Sequence, residues 1–332
     1  MPVAIDEAPS GDWILVRWQT GQDPEPEGFV AGQAEVRLYD LEPTCNDDGC
    51  DLTFHPGGEE DNFALPDLMP LTGEPVAFEA GAEAWTSSEP EESFGCTAEL
   101  DGPYLDSQAE RALAPVRDDE GEIVAMVGPV TFTDTVNDAG KAAGCPAASA
   151  ITYEYESILV DSDVLRQGPT FDVNGQFRQT LEVIDSEGYT EDRLKAGGIS
   201  VGLPENDLVV DGACEEGDCS VDLTVATGKT SEHQMELTST DGETLAADFT
   251  YESGCYDPAT GDDVLDEGAY TAEGELTDLL PIMVVEGEAQ IFLGRYQVTS
   301  TPTDLGQAEA ACSAPEAVSG WVTWIDTDLI DA

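Results

Sequence analysis

Eight cysteines are the residues here whose type and spacing most plainly imply chemistry. Cys45-Asn-Asp-Asp-Gly-Cys50 recurs as Cys214-Glu-Glu-Gly-Asp-Cys219, each with four acidic or small residues between the thiols. Two further cysteines follow each copy, Cys96 and Cys145 in the first, Cys255 and Cys312 in the second. All eight therefore belong to one order, C-x4-C…C…C, run twice. An even number in a repeated order points to disulfides and an oxidising compartment. Zinc is the competing use of paired cysteines, but zinc sites favour C-x2-C-like spacing or added histidines, and these loops are acidic with x4 spacing. Repetition limits the pairing to three choices per copy. The simplest joins Cys45 to Cys50 and Cys96 to Cys145, then Cys214 to Cys219 and Cys255 to Cys312. The first bridge of each copy would staple a hairpin tip. The second would close a loop of about 50 residues, worth roughly 4 kcal/mol by chain-entropy arguments.

Hard oxygen ligands are the next chemistry to consider. Asp257-Pro-Ala-Thr-Gly-Asp-Asp263 gathers Asp257, Asp262 and Asp263 in one short loop, as calcium requires. No segment fits D-x-[DN]-x-[DN]-G-x5-E. Asn46–Gly49 and Glu215–Asp218 are similar acidic loops, and among 71 acidic residues the leading reading of all three is a solvated turn; if calcium binds, 257–263 is the first candidate, and no other cofactor is expected.

Catalytic signatures are missing from the sequence. It has two histidines, His55 and His233, at non-matching positions around the repeated cysteines. There is no G-x-S-x-G for an activated serine. There is likewise no G-x-G-x-x-G or G-x4-G-K-[ST] to cradle phosphates. The expectation is a protein without catalysis. A secreted hydrolase using paired carboxylates ranks third among the functional readings.

The elements that must carry these cysteines read as strands. Trp13-Ile-Leu-Val-Arg-Trp18 and Glu35–Leu41 precede the first cysteine turn, and Asp51–Phe54 follows it. Further strand signals lie at Pro75–Ala80, Glu83–Ser87, Glu122–Val127, Val130–Val136 and Ile151–Ile158. Ser107-Gln-Ala-Glu-Arg-Ala-Leu113 alone reads as a short helix. After Gly168-Pro169 the series restarts: Gly175-Gln-Phe177 matches Gly11-Asp-Trp13, and Gly287–Leu293 matches Gly121–Val127. The predicted organisation is a lead-in over 1–10, one β domain over 11–163 and a homologous β domain over 170–332, each with two disulfides. The fold class is all-β and antiparallel. Five tryptophans sit in strand signals, and core packing is their default role. Trp321 and Trp324 have opposite parity and must face opposite sides of one strand, so one of them is a candidate for lining a ligand cavity or an interface.

Charge narrows the partners. Net charge is −60, from 71 Asp and Glu against 11 Lys and Arg. Residues 1–163 hold five basic and 36 acidic side chains and the remainder six and 35, so no acidic tail accounts for it. Such a surface repels nucleic acid and anionic membranes. It suits a saline habitat or a solubilising coat. The composition is similar to that of exported proteins from salt-loving or actinobacterial sources. Met1-Pro-Val-Ala-Ile-Asp-Glu is acidic and is no signal peptide, and no apolar run approaches a membrane span. With bridged cysteines, the expected location is extracellular or cell-surface, this being the mature region of an exported protein.

Seven or eight strands in roughly 150 residues exceed an immunoglobulin sandwich of about 100 and fit an up-and-down barrel. Gly11-Asp12-Trp13 resembles the G-x-W opening of lipocalin-like barrels, with Gly175-Gln-Phe177 a softened copy. The resemblance implies that this motif closes one barrel end under an arginine from a late strand, for which copy two offers Arg295. A β-sandwich is the alternative fold. The leading functional expectation is an exported binding or recognition module for a protein or glycan. The second is a carrier of small apolar ligands, as the resemblance implies.

Overall fold

The computed structural model describes residues 5, 7–25, 31–46, 49–56, 75–91, 104–118, 121–145, 150–161, 171–187, 207–215, 218–226, 232–239, 244–256, 263–285, 287–308 and 315–330. Two compact units divide the chain, Met1–Val164 and Leu165–Ala332. Each is a closed barrel of eight antiparallel strands in meander order. Full closure removes sheet edges, which a sandwich would leave open. The sandwich alternative is thereby set aside.

The first barrel runs β1 (Gly11–Asp23), β2 (Ala34–Asn46), β3 (Gly49–Pro56), β4 (Val76–Ala80), β5 (Trp85–Glu91), β6 (Leu105–Arg117), β7 (Ile123–Val136) and β8 (Ile151–Asp161). Strand β1 pairs with β2 on one side and β8 on the other, Val16 lying between Val36 and Ile158. The second barrel runs β9 (Phe171–Glu187), β10 (Asp207–Glu215), β11 (Asp218–Ala226), β12 (Glu232–Thr238), β13 (Leu245–Tyr256), β14 (Asp263–Val285), β15 (Glu288–Pro302) and β16 (Glu316–Asp326). Here β9 closes against β16, with Leu181 opposite Val322.

The duplication extends below the strand count. Cys45 faces Cys50 one rung from the end of the β2–β3 hairpin, and Cys214 faces Cys219 at the same rung of β10–β11. Gly121 and Gly287 enter β7 and β15 with φ of 89° and 91°, values that favour glycine. A short helix follows each of those strands, α1 (Asp138–Ala143) and α2 (Asp304–Ala308), and α3 (Thr327–Ile330) follows β16. Both linker helices are capped: Asn137 Oδ1 accepts from Gly140 N at 2.9 Å, and Thr303 Oγ1 accepts from Gly306 N at 3.2 Å.

Ser107–Leu113 is not helical; it lies within β6. Its Gln, Ala, Glu, Arg and Leu residues favour a helix locally. Pairing on both flanks overrides that preference, with Ala109 between Glu89 and Phe132 and Leu113 opposite Trp85. The 23-residue β14 carried no strand signal because Gly268, Gly274, Asp278 and Pro281 interrupt it. Its register shifts beside Asp278 and Pro281, so the strand bends there and continues. Gly274 lies under the Phe249 ring, where a Cβ would stand 2.1 Å from the ring edge.

The two interiors are filled by different side chains. Barrel two packs Phe171, Phe177 and Trp324 around Phe292, with ring centroids 5.4, 5.8 and 5.7 Å away. Barrel one packs Trp13, Leu41, Leu52, Phe78, Trp85 and Met126 at one end. The lead-in belongs to this floor. Ile5 is buried there, its N–H donates to Gly81 O at 3.0 Å, and its carbonyl accepts from Cys50 N at 2.8 Å. Trp85 Nε1 donates to Cys50 O at 2.8 Å, tying the floor to the cysteine hairpin.

Candidate functional site

Inward-facing positions of a strand recur every second residue. From Trp13 the inward series of β1 continues through Leu15 to Arg17, and that of β2 runs Leu41, Tyr39, Arg37, Glu35. On β6 the series is Leu113, Arg111, Ala109. The same parity that builds the apolar floor therefore carries three arginines into the lumen one layer above it. They are three of the five basic residues in positions 1–163.

Glu35 bridges two of them. It forms an ion pair with Arg17, and its Oε2 accepts from Arg37 Nη2 at 2.8 Å. Arg17 also lies against two rings, its guanidinium carbon 4.7 Å from the Phe132 centroid and 5.1 Å from that of Tyr155. Arg111 approaches the same Phe132 ring at 5.6 Å. Phe132 and Tyr155 meet edge to face at 5.6 Å. Burial pushes the Tyr39 hydroxyl above its ordinary pKa, with Glu35 acting in the same direction and Arg17, Arg111 and Arg37 opposing. Tyr39 thus remains a neutral donor at physiological pH. Burial likewise raises Tyr155 and Tyr153, nearer the mouth, where Asp134 adds to the effect.

Between this charged layer and the floor lies a cavity. It is lined by the polar Arg17, Arg111, Tyr39 and Ser157 and by the apolar Leu15, Phe54, Val76, Phe78, Leu113, Val130 and Leu159. Its volume is ≈ 40 Å³, room for about three waters at ~10–15 Å³ each. Ser157 Oγ donates to Gly128 O at 2.7 Å. Ser87 sits opposite Arg111 in the β5–β6 register, is 7% exposed, and its hydroxyl has no hydrogen-bond partner among the described residues. A buried hydroxyl without a partner costs about 1–3 kcal/mol. Chemically the layer can hold an anion and donate hydrogen bonds to it.

The residues singled out from sequence lie elsewhere. Cys45 and Cys50 are bonded. Cys145 and Cys255 are also disulfide-bonded. Cys96 and Cys312 lie outside those residues, as do Asp257 and Asp262; Asp263 begins β14, and its side chain is not described. No group of three or more potential metal ligands occurs among the described residues. Trp324 points into barrel two, fully buried, and its Nε1 donates to Gln179 Oε1 at 2.9 Å. Trp321 points outward, and Arg295 lies 5.3 Å over its ring. Arg295 is therefore on the outer wall, while Phe177 packs inside against Phe292. His55 is on the outer face, its Nε2 3.1 Å from Glu42 Oε2.

The arginine layer went unnoticed in the sequence, although parity announces it. Arg17 and Arg111 each stand two residues from an inward leucine, and Arg37 two from the inward Tyr39, in a chain that has few basic residues to place. No protein-family model, curated protein or solved structure matches this chain.

Proposed function

We propose that this chain is an exported, non-catalytic binding protein whose first barrel holds a small ligand in its lumen and whose second barrel is a homologous packed scaffold. The observation that supports this is the difference between the two interiors. In barrel one the inward positions above the floor are charged and border a cavity, whereas the apolar cluster of barrel two continues past Phe292 through Tyr296, Val298, Val318 and Val322. Export rests on the disulfide chemistry. Alongside Cys45–Cys50, the proposal pairs Cys96 with Cys145, Cys214 with Cys219 and Cys255 with Cys312. The mass of the non-reduced chain is then eight hydrogens below that of the reduced chain.

A carrier of bulky apolar ligands fits less well. Space for about three waters falls well short of the ~300 Å³ that drug-sized ligands occupy. The test is a thermal-shift panel of small organic acids, amides, alcohols and oligosaccharides on the full non-reduced chain. The reading expects small molecules to raise the melting temperature and to perturb NMR signals of β1, β6 and β8. Stabilisation by oligosaccharides alone, with perturbed signals confined to outward-facing residues, contradicts it and favours surface recognition.

A further inference from the structure

We infer that the lumen of barrel one selects a small organic anion, a carboxylate of a few heavy atoms seated with its charge toward Arg17 and Arg111 and its apolar end on the Leu15–Leu113–Leu159 side. This rests on the reading of barrel one as the ligand-binding domain and adds the ligand's class and orientation.

Three observations carry the argument. The first is charge. The guanidiniums of Arg17, Arg37 and Arg111 and the one carboxylate of Glu35 all act on the Tyr39 hydroxyl. This innermost polar layer is cationic by count, inside a unit with 36 acidic residues. Further toward the mouth the inward positions turn acidic, with Glu89 on β5 and Asp134 on β7. An anion is therefore favoured only at the depth of the arginines.

The second is the geometry of the cavity. Its lining joins the polar Arg17, Arg111, Tyr39 and Ser157 to leucine and phenylalanine side chains around a space that admits a few heavy atoms. A bare inorganic anion would leave the Leu and Phe side uncovered, and a long alkyl chain would exceed the space. The third is Ser87, an inward position by alternation from Trp85 and opposite Arg111 in the β5–β6 register, whose buried hydroxyl has no hydrogen-bond partner among the described residues. A carboxylate oxygen at Arg111 supplies that partner. The neutral Tyr39 hydroxyl is a further donor, and guanidinium with hydroxyl donors is a strong carboxylate-binding set.

The test is an NMR titration of the full chain, at constant ionic strength, with propionate and with its neutral isostere propionamide. The Leu15 and Leu113 methyls and the arginine Nε–Hε signals report binding. Propionate is expected to saturate one site and to bind at least about tenfold more tightly than propionamide, as loss of a charge-assisted contact implies. Arg111→Gln should weaken propionate by about 10–100-fold and leave propionamide nearly unchanged. Should Arg111→Gln fail to fold, the smaller change Ser87→Ala, opposite Arg111 in the register, should weaken propionate by about three- to tenfold. Equal binding of the two probes, or an unchanged propionate affinity in the variants, overturns the anion class and leaves the lumen as a binding site. Binding of neither probe at molar concentration overturns the lumen reading with it.

Discussion

Glu35→Gln puts the organisation of the first lumen at risk directly. The carboxylate joins Arg17 and Arg37, and the three side chains keep only 19–25% of their exposure. Neutralising it leaves three guanidiniums facing one another across a narrow barrel. Two charge-assisted contacts are worth about 1.5–3 kcal/mol each, and breaking a fully buried pair costs about 3–5 kcal/mol. Residual exposure lets water recover part of that, and glutamine keeps one acceptor, so the expected loss is about 2–3 kcal/mol. For a domain of this size it corresponds to roughly 4–12 °C in melting temperature. Native-state hydrogen exchange of β1 and β2 amides should show the loss, with β10 and β11 amides of the second barrel as the internal reference. Removing one arginine as well should give back part of it, since Glu35→Gln with Arg37→Gln leaves fewer opposed cations. A loss below about 0.5 kcal/mol, or a double variant that costs the simple sum of the singles, would refute the reasoning.

Other perturbations reach different parts of the account. Trp85→Phe removes the indole donor to the Cys50 carbonyl inside a packed floor and should destabilise barrel one by about 2–4 kcal/mol, measured by urea unfolding. Burial raises the Glu156 pKa above its ordinary value. Stability from that group is therefore complete below the unfolded value and is lost as pH rises through the folded one. Glu156→Gln should accordingly melt higher than the parent at pH 7 and equal to it below about pH 4, the ordinary Glu range, in a pH series of melting curves. Raising NaCl shortens the Debye length from about 30 Å at 0.01 M to about 3 Å at 1 M, and the melting temperature should climb across that range in a chain of net charge −60. A flat response would mean that the acidic surface does not strain the fold.

Much of the architecture was legible because it is written in covalent and periodic signals. The doubled C-x4-C order gives the duplication, and the hairpin it predicts is the one Cys45 and Cys50 close. Alternation located β1, β2 and β7, and the opposite parity of Trp321 and Trp324 placed one indole outside and one inside. Where local chemistry and tertiary pairing disagree, the signal failed. Ser107–Leu113 has helix-forming side chains in a strand flanked by two others, and β14 has glycines and a proline at its bends. The lumen was hidden for another reason. An arginine two residues from a leucine looks like ordinary surface alternation until closure of the barrel fixes which parity faces in. Only then do Arg17, Arg37 and Arg111, from three different strands, come to share one layer.

The most direct measurement is a crystal structure of the full non-reduced chain soaked with 3-bromopropionate, using the anomalous signal of bromine to locate the ligand. The account predicts a bromine peak inside the first barrel, on the Leu113 and Leu159 side, with the carboxylate turned toward Arg17 and Arg111. Bromine found only within the second barrel or on an outer wall would contradict it.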